Sequence, residues 1–266
     1  MLCVNFCVKI RRRETLVTGH SSEANMQTLL PKPALLFFAA LLAELAAPVQ
    51  AADPPPPKFS DTIEQRVAAC TACHGKQGEG VRKNEYYPRI GGKPAGYLYH
   101  QLLNFRDGRR TNPQMSYLVR YLPDAYLKEI ADYFAKLQPP FPATTKPSVA
   151  PDVLARGEAL VTRGDQARDI PACTACHGKA LTGTQPAIPS LVGLYPDYIS
   201  AQLSAWQHGT RQANAPDCMG QIASLLTGAD ITAVAAWLSR QPGSQTAQSA
   251  PAQSQKLPLN CGSQAQ

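Results

Sequence analysis

Two short segments hold the residues whose types and spacing point to chemistry. They are Cys70-Thr71-Ala72-Cys73-His74 and Cys173-Thr174-Ala175-Cys176-His177. A Cys-x-x-Cys pair followed directly by His is the arrangement for covalent haem attachment. The two sulfurs form thioethers to the haem vinyl groups, and the adjacent imidazole reaches the iron from the same side. The competing readings of such pairs are a Cys₄ zinc site or two redox disulfides. Zinc does not require His after both pairs, and a redox pair leaves the matched methionines described below unexplained.

The sixth coordination position decides between an electron carrier and an enzyme. The chain has four methionines, of which Met1 and Met26 belong to the start region. Met115 and Met219 each follow a motif by roughly forty residues and occupy matching places. Methionine is ordinarily core filler. Here one remains per haem, and a thioether is the axial ligand type that raises haem potential. Met115 and Met219 are therefore the expected distal ligands, opposite His74 and His177. His100 and His208 compete less well, because they do not match each other in the two halves.

The elements that position these residues form an internal repeat. Tyr97, Gln101, Leu102, Phe105, Gly108 and Arg110 match Tyr198, Gln202, Leu203, Trp206, Gly209 and Arg211 at an offset of 101. Beyond a loop the offset becomes 104, pairing Met115 with Met219, Leu122 with Leu226, Leu127 with Ile231, Ile130 with Val234 and Tyr133 with Trp237. A helix opening at residues 60–64, capped by Ser60 or Asp61 and supported by Glu64, delivers Cys70. Val153, Leu154, Gly157, Leu160 and Val161 make an apolar helical face ahead of Cys173. Amphipathic helices are expected over 124–137 and 228–239. Strand signal is weak, so each half reads as a small helical domain that covalent haem would staple.

The N-terminus reads as an export signal. A short head with Lys32 precedes an apolar stretch from Ala34 to Ala47 and a small-residue cleavage site near Ala51. That stretch contains Glu44 and is short for a membrane span. The boundaries are then 1–25 as an upstream extension from a mis-called start and 26–51 as signal peptide. The N-terminal domain occupies 52–143, a Pro-rich linker 144–150 and the C-terminal domain 151–242. A flexible tail over 243–266 carries a docking segment around Cys261. Export implies the periplasm.

From Ala52 onward 21 basic and 16 acidic residues remain, a net charge of +5. Up to Lys146 the counts are 14 and 9, and after it 7 and 7, so the whole surplus lies in the first half. Such asymmetry can orient a redox partner. No basic run resembling a nucleic-acid arm lies beyond Ala52, so no nucleic acid is expected. Cys218 and Cys261 are left over once Cys3 and Cys7 are removed with the leader, and in an exported protein they most simply pair. The alternative keeps Cys218, beside Met219, at the iron or in sulfur chemistry.

The chain resembles the two-domain dihaem cytochromes c of the c-four type, built from tandem class I cytochrome c domains. The resemblance covers about residues 60–240. It rests on Cys-Thr-Ala-Cys-His-Gly in both halves, Pro-Arg-Ile-Gly-Gly and Pro-Ser-Leu-Val-Gly after them, and the Tyr…Gln-Leu…Phe/Trp…Gly…Arg…Met segments. It implies an all-α fold and two covalent haem c groups. It also implies that the carbonyls of Pro88 and Pro189 accept hydrogen bonds from His74 and His177. Tyr133 and Trp237 should pack over the first helix of their domain, with Gly157 fitting the crossing in the second half and Arg66 or Val67 giving a looser one in the first. The implied task is single-electron transfer between a respiratory complex or dehydrogenase and a terminal oxidase or reductase. No small-molecule substrate is expected, and association with membrane complexes would be loose. Two other readings stand beside it: a dihaem peroxidase or thiosulfate-oxidising enzyme, and a haem subunit fixed to a periplasmic dehydrogenase.

Overall fold

The computed structural model describes residues 61–81, 87–144, 146–243, 249–251 and 257–264. The expected leader and cleavage site lie outside the described residues, as does Ser60. Ten α-helices carry the described fold, and pairing between extended segments is limited to isolated bridges. In the first half these are α1 (Ile63–Arg66), α2 (Ala68–His74), α3 (Ala95–Arg106), α4 (Pro113–Val119) and α5 (Asp124–Lys136). The second half has α6 (Pro151–Thr162), α7 (Cys173–His177), α8 (Pro196–Gln207), α9 (Cys218–Leu225) and α10 (Gly228–Leu238).

The same plan is executed differently at its start. In the first half α1 is a single turn capped by Thr62, whose side chain accepts from the Gln65 N–H. Asp61 does not cap it; its carboxylate is engaged by Arg66, which also reaches Glu129 on α5. Val67 interrupts the helix, and α2 follows at once with the first motif. In the second half α6 runs a full twelve residues, and a looped segment with a 3₁₀ turn at Gln166–Arg168 separates it from α7.

Gly157 explains how closely α6 and α10 cross. A Cβ built there would lie 2.1 Å from the Ala233 carbonyl oxygen and 2.8 Å from the Trp237 Cβ, so only hydrogen fits. Leu160, Val161, Ile231, Val234 and Leu238 complete the buried core around that crossing. The first-half core uses Val67, Leu98, Ile130, Ala131 and Phe134, with Tyr133 and Cys70 packed against it.

The two halves are joined by more than the linker. Arg110 and Arg211, equivalent in the repeat, pair as an antiparallel bridge, with Thr111 N–H to Thr210 O at 2.8 Å. The Arg110 guanidinium donates to Gln101 Oε1 at 2.8 Å and to Gln202 Oε1 at 2.7 Å. Arg211 reciprocates, to Gln202 at 2.9 Å and Gln101 at 3.1 Å, and each arginine also reaches the tyrosine of the other half, Tyr198 or Tyr97, at 3.2 Å. The repeat residues therefore make the contact between the repeats, related by a local pseudo-twofold. The chain leaving α5 is also held: buried Arg89 donates to the carbonyls of Pro139 and Pro140, and its guanidinium stacks on Phe141.

The tail is pinned at two places. Ala250 N–H donates to Gly183 O at 2.9 Å and its carbonyl accepts from Gln185 N–H at 2.8 Å. Farther on, Cys261 is joined to Cys218 by a disulfide. The tail expected to be flexible over 243–266 is thus held at Ala250, whose backbone groups find partners in the loop after the second motif.

Candidate haem sites

Each Cys-x-x-Cys-His segment forms a short helix that ends on its histidine, followed by a glycine of positive φ: Gly75 at 84° and Gly178 at 80°. The glycine turns the chain away and leaves the imidazole pointing inward. Both histidines are buried. His74 Nδ1 donates to Pro88 O at 2.8 Å, and His177 Nδ1 to Pro189 O at 2.7 Å. With Nδ1 protonated by that bond, Nε2 carries the lone pair.

Burial pushes the His177 imidazole down to about 4, against the opposing hydrogen bond to Pro189, and lowers His74 in the same way. Both rings are therefore neutral near pH 7. Burial likewise raises the thiol of Cys173 to about 12, and those of Cys70 and Cys176 upward. The four motif cysteines are unpaired with one another in disulfides, and each pair sits in its own half. No three His, Cys, Asp or Glu side chains converge among the described residues, so the pairs are not gathered into one zinc centre.

The second half encloses a large cavity. Cys173, Cys176, His177 and Met219 all line it, together with the apolar Leu160, Ile199, Leu203, Ile222, Leu226 and Val234. The lining is mostly apolar, and its largest polar cluster is Tyr97, Gln101, Tyr198, Gln202 and Arg211, linked by the hydrogen bonds above, with Lys93 also in the lining. A flat macrocycle with a hydrophobic body and two carboxylates at one edge fits such an asymmetric lining. Lys93 belongs to the first half, is buried, and donates to Ser190 O at 3.0 Å in the second. Burial pulls it down to about 8, which still leaves it charged near pH 7; a carboxylate beside it would favour the charged form further.

Met219 opens α9 behind Cys218, where Asp217 caps the helix through the Gly220 N–H. Trp206 Nε1 donates to the same carboxylate at 3.2 Å and stacks under Arg211, linking the methionine loop to the interface. In the first half Asn112 caps α4 by accepting from the Met115 N–H at 3.0 Å, and Met115 packs against Phe105, Val119 and Leu127. The competing histidines are placed otherwise. His208 is exposed and bonded to Ser204 O on its own helix, and half-buried His100 lies against Tyr99.

Comparison with known proteins decides the family. Over 222 residues the chain is 38% identical to the thiosulfate dehydrogenase electron acceptor of Thiomonas intermedia, covering 83% of this chain and 97% of that protein. It is 34% identical to cytochrome c4 of Pseudomonas aeruginosa, over 66% of this chain and 85% of the other. The chain belongs to the dihaem cytochrome c4 family.

As a member it carries two covalent haem c groups and serves electron transfer with redox protein partners. The crystal structure of reduced recombinant cytochrome c4 from Pseudomonas stutzeri aligns with a TM-score of 0.58 at 27% identity, covering 67% of this chain and 96% of that one. Thiosulfate dehydrogenase (TsdBA) from Marichromatium purpuratum aligns with a TM-score of 0.60 at 32% identity, over 68% of this chain, which spans only 39% of that longer one. No family model matches the chain.

The features that sequence reasoning missed are polar and long-range: Lys93 crossing to the second cavity, the Arg110–Arg211 exchange, and Arg89 on the linker. A signal existed for one of them, since Gln101, Arg110 and their mates repeat as polar residues between apolar ones.

Proposed function

We propose that the protein is an exported periplasmic carrier that accepts single electrons from a thiosulfate dehydrogenase and passes them to an oxidase or reductase. In this reading Cys70 and Cys73 hold one haem and Cys173 and Cys176 the other, with His74/Met115 and His177/Met219 as the axial pairs. The observation that carries it is the second cavity, where a neutral imidazole fixed through Pro189 and the thioether of Met219 share one apolar enclosure. The bound group would supply one-electron cycling of iron. The chain's own residues do the rest. Pro88 and Pro189 hold the ring orientations, the apolar walls exclude water, and Lys93 and Arg211 place positive charge in the lining of the cavity. Domain boundaries at 52–143 and 151–242, joined over 144–150, suit this division of labour, since each half has its own core and its own motif.

The donor assignment draws on the relatives' names. Two of them, at 38% and 36% identity, are thiosulfate dehydrogenase electron acceptors, and this chain spans 97% and 95% of their lengths. The test is to mix oxidised holoprotein with purified thiosulfate dehydrogenase and thiosulfate. Reduction of both haems is expected; no reduction, while a chemical reductant still reduces both, would remove that donor.

A further inference from the structure

The end of Met115's helix and the turn after it display the most exposed large apolar side chains in the described fold. Tyr121 is 82% exposed, Tyr117 63% and Leu118 41%. Arg120 lies between the two rings, its guanidinium 4.3 Å from the Tyr117 centroid and 4.6 Å from that of Tyr121. Residues 108–123 include no Asp or Glu. Ion pairing on neighbouring elements is taken by Arg106, Arg109 and Lys128, and among the described residues Arg120 enters none of it.

The second half differs at each of these positions. At the offset of 104 the four residues become Gln221, Ile222, Ser224 and Leu225, with neither an aromatic ring nor a charge. The surface around its methionine is also covered. Leu257, Leu259 and Cys261 of the tail line the same cavity as Met219. They are held there by the disulfide to Cys218 and by Gly262 N–H to Pro216 O at 3.0 Å.

We propose that Tyr117, Leu118, Arg120 and Tyr121 form the docking face for an acidic redox protein, and that the tethered tail turns such partners away from the second half. The inference rests on the carrier role and adds the place and chemistry of its encounter. Tyrosine and arginine dominate binding energy at interfaces, and two rings pre-stacked on a guanidinium lose little freedom on contact. A face whose only charge is positive favours an acidic rim, and the basic surplus of the first half steers the approach. One electron then leaves the partner's reduced centre and enters beside Met115, with no bond made or broken.

Stopped-flow reduction of the oxidised holoprotein by flavodoxin hydroquinone, an acidic one-electron donor, tests this. Tyr117→Ser/Arg120→Glu/Tyr121→Ser should slow the second-order rate at low ionic strength by about tenfold and flatten its salt dependence. Leu225→Ser, on the second half's equivalent turn, should stay within about twofold of wild type. An intact haem spectrum certifies folding, and Arg120→Glu alone carries the test if the triple variant fails to fold. A triple variant reduced at the wild-type rate would overturn the proposal, as would slowing by Leu225→Ser alone. Because flavodoxin is independent of thiosulfate chemistry, failure of thiosulfate dehydrogenase to reduce the wild type would strike only the donor assignment.

Discussion

The two halves share a core plan and diverge at their surfaces, and the contrast separates what holds a haem from what meets a partner. Both halves end a short motif helix on a buried histidine bonded to a proline carbonyl, and both begin a methionine helix with a side-chain cap. Those are demands of the cofactor. In the second half α6 and α10 cross on a bare glycine, and Arg156 and Arg168 clasp the Asp230 carboxylate from two sides, at 2.9 Å each. Asp230 also completes a capping box with Thr227. The first half has a one-turn α1 and the more exposed Arg66 ion pairs, which contribute little. Tight packing and a strapped tail characterise the half that is closed; exposed rings and unpaired charge characterise the half that is open.

The largest effect that could break this comparison comes from the methionines. Met115→Ala or Met219→Ala should each open one iron, so that one equivalent of carbon monoxide binds per reduced protein and the affected haem's potential falls. Binding at both haems in either single variant would mean that the halves are not independent in ligation. Next is the strap. Cys261→Ser frees a loop of 43 residues of separation and should cost the second half about 4 kcal/mol by chain-entropy reasoning. Denaturant titration should show the shift at the second haem and none at the first.

A smaller effect concerns acid. Burial of Asp230 pushes its pKa up, but hydrogen bonds from Arg168, Thr227 and Arg156 outweigh this and hold the carboxylate well below its usual range. The folded form therefore binds its proton later than the unfolded chain does. The stabilisation is fully present above about pH 4 and is lost as pH falls toward the folded value. Asp230→Asn should cost about 2 kcal/mol at neutral pH, the low side for a buried pair because both arginines are partly exposed, and should flatten the acid dependence. An unaltered acid profile in that variant would assign the acid sensitivity elsewhere.

How much of this was legible in the chain follows from the range of each interaction. The helices at Asp124–Lys136 and Gly228–Leu238 end within one residue of the expected limits, since apolar spacing is a local signal. The close crossing at Gly157 was an expectation of the family resemblance, and the built Cβ contact with Ala233 gives its physical reason. Lys93 was not legible. Its partner is a backbone carbonyl 97 residues away, and every residue offers a carbonyl. Arg89 escaped for the same reason, its partners being Pro139 and Pro140 carbonyls. The docking face was equally silent, because exposure is decided by where the rest of the chain packs.

The central claim is that both irons are saturated by histidine and methionine, which makes the protein a carrier rather than an enzyme. Exposure of the dithionite-reduced wild-type holoprotein to carbon monoxide tests it most directly. The account predicts an unchanged ferrous spectrum, together with the weak far-red band of methionine-ligated iron in the oxidised protein. Carbon monoxide bound at either haem of the wild type would contradict it.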